Sequence, residues 1–141
     1  MKLDQLCVAY YSPTHTSRAV ARAVGDGFGI GRRTERDLTT DRSDSPIAVK
    51  DSICTVAAPV YGGLIAPVAA RRIARLRAEN SVAVPIVVYG NRDYEDALVQ
   101  LRDLLHGQGF TVLCGAAFVG EHSYSRPGMP IAEGRPDAQD L

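Results

Sequence analysis

The sequence predicts an α/β domain built on a doubly wound, five-stranded parallel sheet, and three observations carry that prediction. Short Val-rich and Ile-rich runs recur along the chain with almost no polar interruption, as strands buried on both faces require. Segments with apolar residues at 3.6 spacing lie between them, and strands alternating with helices give a parallel sheet. The 141 residues, 45% of them hydrophobic, suffice for one compact core and are too few for two.

Leu6 to Tyr11 reads as the first strand. Thr16 to Gly27 follows as a helix with Val20, Ala23 and Val24 on one face. Thr34 to Leu38 alternates and reads as a weaker strand, whereas Thr39 to Asp51 is polar with one Pro and reads as a loop or a single short helix. Ile53 to Ala58 is the next strand, and Ala66 to Glu79 is predicted as a helix facing the core with Ala69, Ile73 and Leu76. After the strand Pro85 to Tyr89, Asp93 to His106 carries Tyr94, Ala97, Leu98, Leu101 and Leu105 on one helical face, with Asp93 as N-cap, His106 as a charge on the last turn and Gly107 as the stop. Thr111 to Phe118 is the fifth strand, and Arg126 to Leu141, with three prolines, wraps over the surface. Five parallel strands need cover on both faces, and the final helix is missing. A few hundred Å² of apolar surface around Leu6 to Tyr11 is therefore expected to be covered either by self-association or by further residues of a longer polypeptide of which this single domain is a trimmed part.

The charges cancel, 16 Lys and Arg against 16 Asp and Glu, and they cancel within each half as well. This disfavours nucleic-acid and anionic-membrane partners. Asp4 interrupts any signal-peptide core, and no run approaches the length of a membrane span, so the chain reads as cytoplasmic. Cys7, Cys54 and Cys114 each lie in an apolar run with no second cysteine nearby, which argues for three buried thiols and against a disulfide framework or metal site.

In a doubly wound sheet, ligands bind at the carboxyl ends of the strands. Three loops there carry chemistry. Ser12, Pro13, Thr14, His15, Thr16 and Ser17 connect the first strand to the first helix with four hydroxyls in six positions. Hydroxyls beside the unpaired N–H groups of a helix N-terminus suit a phosphate monoester, whereas ordinary capping by Thr14 or Thr16 needs only one. Pro59, Val60, Tyr61, Gly62 and Gly63 end the third strand, with glycines for close backbone approach and an aromatic at the rim. Gly90, Asn91, Arg92, Asp93 and Tyr94 end the fourth, where Tyr94 is either a ligand contact or a core-facing helix residue.

Taken together, these loops resemble the flavodoxin family. Ser12-Pro13-Thr14-His15-Thr16-Ser17 resembles its Ser/Thr-x-Thr-Gly-x-Thr phosphate loop. Tyr61 matches its aromatic after the third strand, and Gly90-Asn91-Arg92-Asp93-Tyr94 resembles its Gly-Asp-x-x-Tyr loop. The run from Val88 to Leu98, with Glu121-His122-Ser123-Tyr124, is more similar still to the flavodoxin-like half of bacterial flavodoxin-ferredoxin fusion proteins. The resemblance implies strand order 2-1-3-4-5 and FMN as cofactor, its phosphate held by the loop from Ser12 and its isoalloxazine flanked by Tyr61 and Tyr94. It also implies electron transport, as an oxidoreductase component, to a redox partner protein such as a ferredoxin-type domain. The chain departs from the pattern in placing His15 where the family has Gly, and in being neutral where the family is acidic. The cysteine clusters of the ferredoxin half are absent from these residues.

Several other readings fail on spacing. Gly25 to Gly31 follows a helix instead of opening one, so it is a connection and not a dinucleotide loop. A low-molecular-weight phosphatase needs Arg where Pro13 stands, and a response-regulator receiver needs acidic residues where Tyr-Ser-Pro and Ala-Pro-Val stand. Glu121 and His122 form a candidate acid–base pair or a satisfied loop. Three functions remain: an FMN electron carrier, an FMN-dependent NAD(P)H oxidoreductase acting on a small acceptor, and an interaction module that has lost FMN.

Overall fold

A computed structural model describes all residues from Met1 to Leu141. The elements in order are β1 (Gln5–Tyr10), α1 (Thr16–Asp26), β2 (Arg33–Asp37), β3 (Ile47–Lys50), β4 (Ser52–Tyr61), β5 (Leu64–Ile65), α2 (Pro67–Ile73), β6 (Leu76–Glu79), β7 (Val82–Tyr89), α3 (Ala97–Gly107), β8 (Thr111–Val112) and β9 (Ala116–Val119). The main sheet runs β2-β1-β4-β7-β8, with β9 also parallel to β7 and β5 turned back on β4. Taking β8 and β9 as one interrupted strand, this is the doubly wound order 2-1-3-4-5. No helix of the chain is long and apolar enough to cross a membrane.

Alternation along the strands sorts the core into two layers. Cys7 and Ala9 of β1, Cys54, Val56 and Ala58 of β4, and Ala83 and Val87 of β7 pack under α2 and α3 with Ala69, Ile73, Leu101 and Leu105. Leu6, Val8 and Tyr10, with Ala57, Val84, Ile86 and Val88, face α1 through Val20 and Ala21. The buried Thr55 hydroxyl donates to the Ala21 carbonyl at 3.0 Å, fixing α1 over the middle of the sheet. Gly25, expected in a connection, is instead the last buried residue of α1; a Cβ there would lie 3.1 Å from the Leu6 side chain. This close approach buries both faces of β1, and the exposed apolar patch expected around Leu6 to Tyr11 is absent.

Three further expectations change. The helix predicted over Ala66 to Glu79 stops at Ile73, and the expected loop before Asp51 contains β3, because β3 and β6 form a separate parallel pair in the register Ile47↔Leu76 to Lys50↔Glu79. Leu76 and Ala78 point inward and Arg77 and Glu79 outward, a period of two that a helical reading of the same apolar spacing conceals. Cys7 and Cys54 are buried, paired in register on β1 and β4, whereas Cys114 is exposed in the break between β8 and β9. α3 begins at Ala97 with Asp96 at its N-cap; Asp93 instead closes a turn by accepting the Glu95 N–H at 2.9 Å.

Tyr10 ends β1 in a polar network on the α1 side. Its hydroxyl donates to Glu35 at 2.5 Å, and Arg22 grips the same carboxylate at 2.6 Å. Burial first, then the Glu35 carboxylate, pushes the Tyr10 phenol up to about 12. Burial pushes the Glu35 carboxyl up as well, but hydrogen bonds from Arg22 and Tyr10 together hold it below its ordinary value. A phenol whose folded pKa lies above its unfolded value of 10 stabilises the fold fully below pH 10 and loses that contribution as pH rises to about 12. Denaturant titrations should therefore show stability falling across that window by up to about 2 kcal/mol, and Tyr10→Phe should flatten the fall. An equally steep alkaline limb in Tyr10→Phe would assign the loss to other groups.

Candidate functional site

The three predicted loops meet at the carboxyl edge of the sheet. β1 delivers Ser12, whose N–H donates to the Thr39 hydroxyl at 2.9 Å and whose hydroxyl accepts the Arg18 N–H at 3.0 Å. Ser12 and Ser17 are buried and frame the loop, while Pro13, Thr14 and His15 are exposed. His15 is the N-cap of α1 at φ 68°, a left-handed conformation that explains why the resembled family has Gly there; its side chain makes no capping bond. The Thr14 and Thr16 hydroxyls lie 3.4 Å apart, and neither caps the helix. The backbone N–H groups of Thr14, Thr16 and Ser17 have no acceptor within the chain. A ring of free N–H groups and hydroxyls at a helix N-terminus is the donor set a phosphate needs.

The β4–β5 turn places Gly62 and Gly63 at φ 61° and 82°, with Tyr61 paired across the turn to Leu64 and 55% exposed. Burial of its inner edge, then Tyr11, pushes the Tyr61 phenol up. The loop after β7 clamps this turn. Asp96 N–H donates to the Gly63 carbonyl at 3.1 Å, and a Cβ on Gly63 would lie 2.3 Å from the Glu95 carboxylate. Tyr94 lies in the loop before α3 and not on the helix itself. It is half-buried, packs against the core and meets Tyr89 edge-on with ring centroids 5.3 Å apart. Asn91 takes φ 61°, and Asn91, Arg92 and Asp93 are exposed.

The segment after β9 joins the same edge. A Cβ on Gly120 would lie 2.8 Å from Val88 and 3.2 Å from Thr16, and one on Gly90 would lie 2.4 Å from the His122 ring. His122 Nδ1 accepts the Tyr124 N–H at 3.0 Å, and the Glu121 carboxylate accepts the Gly134 N–H at 3.0 Å. Each side chain thus makes one bond that shapes the tail. Sequence reasoning missed Tyr11, Thr39 and Arg72. Tyr11 neighbours Tyr61, and Arg72 stands 5.7 Å from the Tyr11 ring centroid. A surface concavity lined by Arg102, His106, Phe110 and Thr111 is at the opposite edge, where β8 pairs with the start of β7.

No protein-family model matches the chain, and no curated protein resembles it in sequence. Solved structures do resemble it. A flavodoxin of Streptococcus pneumoniae TIGR4 superposes with a TM-score of 0.58 at 16% identity, over 82% of this chain and 83% of its own. The Fusobacterium nucleatum flavodoxin bound to flavin mononucleotide gives 0.55 at 9%, over 77% and 68%. The rubredoxin oxygen:oxidoreductase of Desulfovibrio gigas gives 0.58 at 14%; the match covers 86% of this chain and 32% of that longer one. With the strand order and the loop positions, these likenesses establish that the chain has the flavodoxin-like fold.

Proposed function

We propose that this chain binds FMN at the carboxyl edge of its sheet and serves as a one-electron carrier for a redox partner protein. The observation that carries the reading is the set of unused N–H groups at Thr14, Thr16 and Ser17, flanked by the Thr14 and Thr16 hydroxyls. These groups would hold the phosphate. The exposed Tyr61, with the Gly62–Gly63 turn beside it, would cover the isoalloxazine, and Gly90, Asn91, Arg92, Asp93 and Tyr94 would line its other side. Bound flavin supplies electron transfer, singly or as hydride. The residues of this chain would orient the ring and cover part of it. Were Tyr61 and Tyr94 both to cover the flavin, little room would be left for a small substrate, which favours the carrier over an NAD(P)H oxidoreductase.

The run from Val88 to Leu98 and the Glu121 to Tyr124 segment support the finer resemblance, to the flavodoxin-like half of flavodoxin-ferredoxin fusions, and with it a ferredoxin-type partner. Calorimetric titration of apoprotein with FMN and with riboflavin tests the assignment. FMN is expected to bind at least about 10-fold more tightly, since charge-assisted bonds to a phosphate contribute over about 1.4 kcal/mol. Equal affinities would remove the phosphate from the site.

A further inference from the structure

The phosphate loop holds itself only in part, through the His15 N–H on the Ser12 carbonyl at 3.2 Å. Its first residue, Ser12, is fixed from outside by Thr39, and Thr39 is fixed in turn by α2. The Arg72 guanidinium donates through one nitrogen, Nη1, to the Leu38 carbonyl at 2.9 Å and to the Thr39 carbonyl, while the Thr39 N–H is held by Asp37 at 2.9 Å. With both main-chain groups of Thr39 tied, its hydroxyl accepts the Ser12 N–H. The Ser12 hydroxyl then takes the Arg18 N–H in the first turn of α1. The result is a continuous chain of hydrogen bonds from α2, across the end of β2, to the loop and into α1. It satisfies the N–H groups of Ser12 and Arg18 and leaves those of Thr14, Thr16 and Ser17 free.

We propose that Arg72 is a positioning residue for the phosphate loop and that, through Thr39 and Ser12, it sets the preference for a phosphorylated flavin. The inference rests on the FMN reading above and deepens it. Removing Arg72 strips the donor from two carbonyls and frees Thr39 to turn, so the Ser12 N–H loses its acceptor and the loop loses its outside anchor. In the proposed placement it is the phosphate of the ligand that meets that loop. The penalty therefore falls on FMN and spares riboflavin, which a general loss of packing would not do.

The test measures dissociation constants of apoprotein for FMN and for riboflavin in wild type, Arg72→Gln, Arg72→Lys and Thr39→Val, with hydrogen exchange of the Ser12 amide as a ligand-free readout. Arg72→Gln and Thr39→Val are expected to weaken FMN about 10-fold, the scale seen when an outer-shell partner is lost, and to leave riboflavin within about 2-fold. The Ser12 amide should exchange faster in both. Arg72→Lys should recover most of the FMN affinity, because a single nitrogen already serves both carbonyls. Parallel losses of FMN and riboflavin, or an unchanged Ser12 amide with unchanged FMN affinity, would overturn the positioning role while the FMN reading stands. Wild-type protein that binds FMN and riboflavin equally would instead overturn the FMN reading, and the proposed selectivity with it.

Discussion

Phe110→Ala is expected to destabilise the fold by about 3 kcal/mol, the low end of the range for deleting a buried aromatic ring. Phe110 is 2% exposed and packs into the layer beneath α2 and α3. It is placed there by a sharp reversal: Gly109 at φ 90° turns the chain after α3, and the Phe110 N–H closes onto the Leu105 carbonyl at 3.2 Å. The low end applies because Phe110 also lines the surface concavity with Arg102 and His106, so water enters the space the ring leaves and the full cost of a sealed void is not incurred. Against a total stability of about 5–15 kcal/mol the loss is large and corresponds to a fall of about 10 °C in Tm. Urea titrations should show a lower midpoint at unchanged slope. A change under about 1 kcal/mol would mean that β8 and the end of α3 close over the gap.

What was legible in the sequence divides by range of interaction. The strands β1, β4 and β7 were readable because burial on both faces leaves no polar interruption; α1 was readable as a helix, but it buries Ser17, Val20, Ala21 and Gly25, and the expected Ala23 and Val24 are only half-buried. The β3–β6 pair was not. Ile47 to Lys50 and Leu76 to Glu79 are four residues each, and each is a strand only because the other lies beside it. The break between β8 and β9, which exposes Cys114, is equally invisible in an apolar run. At the candidate site, local signals placed the three loops at one edge; there Glu95 packs against Gly63, and Thr16 packs against Gly120 of the segment after β9. His15 shows the limit of such signals: its backbone is left-handed at φ 68°, a conformation that glycine adopts readily and that a histidine does not announce. Thr39 and Arg72 lay out of sight because their partners are 27 and 33 residues away along the chain.

The second large effect concerns the two tyrosines, and the structure separates them. Tyr61→Ala is expected to weaken FMN binding by about 1–3 kcal/mol, roughly 5- to 150-fold, the scale of burying and stacking an aromatic ring. Tyr61 is 55% exposed without ligand, so its removal takes little from the apoprotein, whose Tm should stay within about 2 °C. Tyr94→Ala should behave differently. Its ring is half-buried against the core and edge-on to Tyr89 at 5.3 Å, so truncation opens space beneath the loop that clamps Gly63. Apoprotein stability should then fall by about 1–2 kcal/mol together with FMN affinity. Measuring Tm on apoprotein and Kd by calorimetry for both variants gives two independent axes. If Tyr94→Ala moves only Tm, Tyr94 is a core residue and Tyr61 alone covers the flavin. If Tyr61→Ala leaves Kd unchanged, the flavin ring does not lie against the β4–β5 turn.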